Sequence, residues 1–212
     1  LEFRRVLFRS ELTKEMLKQA HRETQRQKAT EQTDRSGVRY VFNSSGVLEK
    51  EEPYNGPDVI VVGGNKPLEL TSGTKIYKEN TEEHGKSGLR IEGNIDSVFK
   101  YMAKNTNVEW GMSYEGSGKK LSGVMRTDYL KDEVEFLPIS GYGHYVHTHP
   151  ENTALPSEND KNIEAQYNKR KGKYGGDYNY YSFELYFTND EGDIVWDTQE
   201  NVERDYYQKY QP

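Results

Sequence analysis

The sequence predicts a mixed α+β fold from three observations. Several segments alternate apolar and polar residues with a period of two. A few others place apolar residues at helical spacing. Gly-rich and Asn/Asp-rich turns separate the extended segments at short intervals. The chain has 212 residues, enough for one domain of ordinary size plus extra segments. Its apolar content of 33% is low, and its 17 tyrosines supply rings that can be buried with a wet hydroxyl. A core can form only if much of the chain stays outside it, which predicts one compact domain with a polar extension.

Residues 1–10 differ in character from the rest of the chain and read as non-native sequence. Residues 11–36 are polar, with Leu12, Met16 and Leu17 as one short apolar stripe, and predict a solvated linker helix, with a disordered tail as the alternative. The chain begins without Met or a signal peptide, as expected of a fragment of something longer. The expected organisation is a helical, polar segment over 1–36 that is either non-native or a linker, a β-rich lead-in over 37–87 and the main domain over 88–212.

From Val38 the period becomes two, with Val38, Tyr40 and Phe42 on one face. Ser44-Ser45-Gly46 offers a turn, and Val59-Ile60-Val61-Val62 is a continuous β-branched run. Residues 66–87 predict an irregular connection with one short strand at 74–77. A helix is predicted over 95–104, capped by Asn94, with Ile95, Val98, Phe99 and Met102 on one face. Strands are predicted at 108–115 and 120–127, joined by Gly116-Ser117-Gly118, then at 133–138 and 142–149. A helix is expected next over 157–170, then a solvated loop at 169–173. Tyr181, Phe183, Leu185 and Phe187 mark another strand, which turns at 189–193 into Ile194-Val195-Trp196. The last dozen residues predict either a short helix or a frayed tail. There is no internal repeat.

Several function classes are excluded by composition. The net charge is −6 with both signs interspersed, so no nucleic-acid partner is expected. The absence of cysteine removes disulfides and thiolate zinc sites. No apolar run reaches about 18 residues, so no membrane span is expected. Gly116-Ser117-Gly118-Lys119-Lys120 lacks the spacing of a phosphate loop and reads as a hairpin tip. Tyr174, Tyr178, Tyr180 and Tyr181 beside a basic run could stack bases, but the interrupted pattern favours an ordinary strand and loop.

The chemistry concentrates in His147-Thr148-His149-Pro150 and Pro156-Ser157-Glu158-Asn159-Asp160. On a strand, residues two apart share a face, so His147 and His149 can reach one metal while His144 points away. Ser157 reads as a helix N-cap, which puts Asp160 in the first turn, back toward the strand end. Two imidazoles and one carboxylate leave a fourth position open, the donor set of a catalytic Zn2+ site. Other divalent metals suit a carboxylate too. The plainer reading also stands: Ser-x-x-Asp is a capping box that many helices use without chemistry. A hydrolytic site also needs a base. Glu109, in Val108-Glu109-Trp110, is the candidate, and Glu115 at the far end of the same strand is its rival.

The pattern H-x-H, seven residues, S-x-x-D, with Pro150 and Pro156, resembles that of JAMM metallopeptidases, the MPN or JAB-type domains. Glu109-Trp110-Gly111-Met112 resembles the family's upstream glutamate segment. The resemblance covers 88–212. It implies a cytidine-deaminase-like sheet flanked by helices, and zinc held by His147, His149 and Asp160. It implies Glu109 as general acid/base, Ser157 as oxyanion donor, and hydrolysis of peptide or isopeptide bonds, often to ubiquitin-like proteins. The lead-in, Arg39-Tyr40-Val41-Phe42 to Pro57-Asp58-Val59-Ile60-Val61-Val62, is similar to the hairpin before C-terminal toxin domains of bacterial Rhs-type polymorphic toxins. That implies a secreted or delivered effector acting in a target cell, with a cognate immunity protein; without it the expected location is cytoplasmic. Two alternatives keep other classes open: a RadC-like or deaminase-like metal-binding module acting on nucleic acid, and a non-catalytic interaction domain.

Overall fold

The β-branched run at 59–62 lies inside the first of two sheets. The computed structural model describes residues 18–19, 22–23, 36–81, 86–115, 121–134, 144–150, 155–174 and 182–210. The first sheet contains β1 (Ser36–Phe42), β2 (Leu48–Asn55), β3 (Val59–Val62) and β4 (Leu68–Glu69), in the order β2-β1-β3-β4. β1 and β2 form an antiparallel hairpin, and β3 runs parallel to β1. In the turn between β1 and β2 the Asn43 side chain accepts from Ser45 N and Val47 N, at 3.0 and 3.1 Å. Gly46 there has a φ of +69°, and a Cβ on it would come within 2.8 Å of Val108 Cγ2. Glycine is needed at this turn both for its backbone angle and for the close approach.

The second sheet contains β5 (Lys75–Thr81), β6 (Lys86–Asn94), β7 (Gly111–Glu115), β8 (Ser122–Thr127), β9 (His144–Thr148), β10 (Ser182–Thr188) and β11 (Ile194–Thr198). Its order is β11-β10-β9-β7-β8-β6-β5, and only the β9–β10 pair is parallel. The helices are α1 (Asp96–Asn105), α2 (Glu158–Tyr174) and α3 (Gln199–Tyr210). The predicted mixed α+β class holds. Among the described residues no helix is long and apolar enough to cross a membrane.

The stripe read at 95–104 is the centre of the core. Ile95, Val98, Phe99 and Met102 are fully buried and pack with Trp110, just before β7, and with Met112 and Val146 of the second sheet. The same cluster takes in Phe42, Ile60 and Val62 from the first sheet, so both sheets share one core. The Phe99 ring meets Tyr186 edge-on at 5.5 Å. A smaller cluster of Leu185, Phe187 and Val202 seats α3. On β8, a Cβ at Gly123 would lie 2.1 Å from Ser113 O. Gly123→Ala is therefore expected to destabilise the protein by about 1–3 kcal/mol, read as a lower urea midpoint. An unchanged midpoint would show that β7 and β8 can part at no cost.

Several expectations are corrected. The 66–87 stretch is not an irregular connection, because β5 and β6 pair over seven residues with Ile76 opposite Ile91. The alternation Leu89-Arg90-Ile91-Glu92, with Leu89 and Ile91 fully buried, was the available signal. The first turn of α1 is preceded by Ile95 rather than capped by Asn94. Asn94 stays in β6 opposite Ser122, and Ile95 N donates to Leu121 O at 3.1 Å, so burial of Ile95 replaces a polar cap. β7 starts at Gly111, not at 108, and β8 at Ser122, not at 120. α2 continues through the loop expected at 169–173, and α3 forms where a helix or a frayed tail was expected. Residues 131–134 form no strand, and 135–138 lie outside the described residues. So do the 116–118 turn, Tyr178, Tyr180, Tyr181, and the linker helix apart from exposed helical residues at 18–19 and 22–23.

Candidate metal centre

β9 is central in its sheet and alternates as strand parity requires. Val146 and Thr148 face the α1 core, and His147 faces the other side at 1% exposure. His147 lies opposite Gly111 on β7 and Leu185 on β10. The strand ends at Thr148, and His149 N donates to Tyr186 O at 3.2 Å, which keeps the second histidine against β10. The two Nε2 atoms are 3.0 Å apart.

α2 brings the third donor through its own start. Asp160 N donates to Ser157 Oγ at 3.2 Å, and Ser157 N donates to Asp160 Oδ2 at 2.7 Å. This reciprocal pair is a capping box with Asp in the acidic position. The carboxylate also faces the imidazoles, with Oδ1 3.5 Å from His147 Nε2 and Oδ2 3.9 Å from His149 Nε2. The capping-box reading of Ser-x-x-Asp holds, and the same turn places the carboxylate where it could also serve a metal. Burial pushes the Asp160 carboxyl up, but bonds to His147 and Ser157 outweigh it and hold the group well below the usual carboxylate range.

Glu109 is carried by a short segment between α1 and β7. Val108 and Trp110 are buried in the core, which turns Glu109 to the histidine side. Its Oε1 lies 3.9 Å from His147 Nε2, and the residue is 6% exposed. Burial, then the negative charges of Asp160, Asp132, Glu133 and Asp128, push its carboxyl up to about 9.

That shift has a sign for stability. Between its ordinary value of 4.5 and about 9, Glu109 is protonated in the folded protein and ionised in the unfolded chain. Its contribution is therefore fully present below 4.5 and lost as pH rises toward 9. Chelator-treated wild type is expected to lose stability between about pH 5 and pH 9 by an amount on the order of a few kcal/mol, and Glu109→Gln much less. Urea midpoints across that range test this, and parallel profiles for the two proteins would remove the burial argument.

The structure thus brings Glu109, His147, His149, Ser157 and Asp160 together. His144 lies on the other face of the sheet, stacked on Tyr114 at 4.9 Å with Nδ1 2.7 Å from Ser182 Oγ. Glu115 is exposed at the end of β7. Sequence reasoning gave no role to Thr148, Trp110 or Leu130, whose bonds fix the Glu109 segment. No spacing rule marks them, because three of the four groups in the bonds from Trp110 N to Thr148 Oγ1 and from Glu109 N to Leu130 O are backbone.

The donor set fits a zinc ion. Donor atoms of His147, His149 and Asp160 all lie within 4.8 Å of one another. Tetrahedral zinc with bonds of about 2.0–2.1 Å separates its ligand atoms by about 3.3–3.4 Å, close to the 3.0, 3.5 and 3.9 Å found here.

Fold and site together define an α+β domain with a candidate metal centre of two strand histidines and one helix-cap aspartate, faced by a buried glutamate. Residues 91–181 match the family model described as JAB-like toxin 1, which supports a JAB-like toxin domain over that stretch. The architecture is consistent with a JAB-like fold, and the match suggests a hydrolase of the JAMM kind. The matched stretch contains Glu109 and all of His147, His149, Ser157 and Asp160; it carries no Rhs context. No curated protein and no solved structure matches the chain significantly.

Proposed function

We propose that the domain is a zinc-dependent hydrolase of JAMM type that cleaves a peptide or isopeptide bond as the effector of a bacterial toxin. The observation that carries this reading is the convergence of His147, His149 and Asp160 with Glu109 facing them at 3.9 Å. His147, His149 and Asp160 would hold the metal. When bound, zinc would supply Lewis acidity, acidifying water and polarising a substrate carbonyl.

The chain supplies the rest. Glu109 takes a proton from water on its carboxylate and returns it to the leaving amine. A nearby cation lowers its proton affinity from the high value of the metal-free site, so both steps are within reach near neutral pH. Ser157 Oγ accepts from Asp160 N and keeps its own hydrogen to donate to a developing oxyanion. Burial of His147 and Glu109 excludes bulk water from the proton path.

The family match supports a toxin domain; on our reading it is delivered to a target cell, where it meets its substrate, and the producing cell holds an immunity protein. The substrate is a protein or peptide, with ubiquitin-like conjugates among the amides that fit the chemistry. Expression of wild type beside Glu109→Gln in a bacterial host tests the whole reading. Growth arrest by wild type alone, with about one zinc per purified chain, is expected. Less than about half a zinc per chain, or equal arrest by both proteins, would sink it.

A further inference from the structure

The middle residue of His147-Thr148-His149 points away from the metal face, so its parity leaves it without a role among the ligands. Its bonds give it one. The β7–β9 register opposes Gly111 to His147, which makes Trp110 and Thr148 the next pair. In a regular antiparallel ladder such a pair exchanges two backbone bonds or none. Here Thr148 N donates to Trp110 O at 2.9 Å. The return bond goes elsewhere: Trp110 N donates to Thr148 Oγ1, also at 2.9 Å. One step further, Glu109 N donates to Leu130 O at 2.7 Å instead of continuing along β9. The side-chain hydroxyl therefore closes the ladder at the residue before β7, where Glu109 begins to diverge.

We propose that Thr148 is a positioning residue whose hydroxyl, by accepting from Trp110 N, holds the Glu109 carboxyl on the side of His147. Its part in hydrolysis rests on the reading of Glu109 as the base; its part in geometry does not. The neighbourhood is built for such a role. Thr148 is 3% exposed and Trp110 is fully buried, so no bulk water replaces the bond. The Trp110 indole is held independently: its Nε1 donates to Thr106 Oγ1 at 2.9 Å, and Thr106 Oγ1 donates to Met102 O at 2.7 Å. Loss of the Thr148 hydroxyl would leave the ring anchored at the end of α1 and release the backbone at 109–110. Serine would supply the same acceptor, and valine the same shape without it.

The test uses wild type, Thr148→Val and Thr148→Ser, first as metal-free protein. In Thr148→Val the Trp110 amide is expected to exchange at least about tenfold faster. Its crystal structure is expected to place Glu109 Oε1 about 1 Å or more further from His147 Nε2, a displacement that costs about a hundredfold in turnover. Zinc affinity should stay within about twofold of wild type, because the three ligands are untouched. Growth arrest should be lost in Thr148→Val, and Thr148→Ser should restore every readout. If the valine variant does not fold, Thr148→Cys, a poor acceptor of serine's size, carries the same measurements. A protected Trp110 amide with Glu109 in place in the valine or cysteine variant overturns the proposal, as does failure of serine to restore them. If wild type binds no zinc or does not arrest growth, while valine still displaces Glu109 and serine returns it, the hydrolase reading falls and the positioning role stands.

Discussion

Replacing Glu109 with glutamine is expected to leave zinc bound and to lower turnover by about 10²- to 10⁴-fold, the usual worth of a placed general base. The two effects separate because Glu109 stands across from the donor set and is not part of it: Oε1 is 3.9 Å from His147 Nε2, while the three donors group among themselves. Glutamine keeps the shape and loses the ability to carry a proton. It also removes a carboxyl that burial and four neighbouring carboxylates make hard to ionise without a cation, so the variant should fold at least as well as wild type. Zinc content by metal analysis and growth arrest in the same preparations give the answer. Arrest by Glu109→Gln at wild-type strength would remove Glu109 from the chemistry.

His147→Ala is expected to do the opposite and lose metal and activity together. His147 Nε2 is the hub of the site, 3.0 Å from His149, 3.5 Å from Asp160 and 3.9 Å from Glu109. Without it, one imidazole and one carboxylate remain from the donor set. Zinc affinity should then fall by more than the ~10- to 100-fold that loss of an outer partner causes. Chelator competition measures that fall, and circular dichroism separates it from unfolding. A variant that holds zinc as tightly as wild type would mean the ion sits elsewhere.

The sequence discloses the local parts of this molecule well. The stripe Ile95, Val98, Phe99 and Met102 is legible because helical spacing and burial agree there. His147 and His149 sort from His144 by strand parity alone, which needs no tertiary information. β6 was missed, and β5 was read only as a short strand at 74–77, because Arg90 and Glu92 alternate with the buried Leu89 and Ile91 in a polar stretch. The basic run at 169–173 reads as a loop because its polar sequence carries no apolar stripe to mark the helix that continues through it. What the sequence could not give was the approach of Glu109 to His147, which depends on the bonds from Trp110 N to Thr148 and from Glu109 N to Leu130. These join residues 21 to 38 positions apart through groups every residue carries, or through a threonine like any other.

The turn after β1 matters beyond its own sheet. Ser44 O accepts from Asn107 N at 2.8 Å, and Gly46 lies against Val108 and Trp110, on either side of the glutamate. The matched family stretch begins at residue 91 and leaves this buttress out. The segment that carries Glu109 therefore leans on more of the chain than the matched stretch covers: its packing reaches back to the turn after β1.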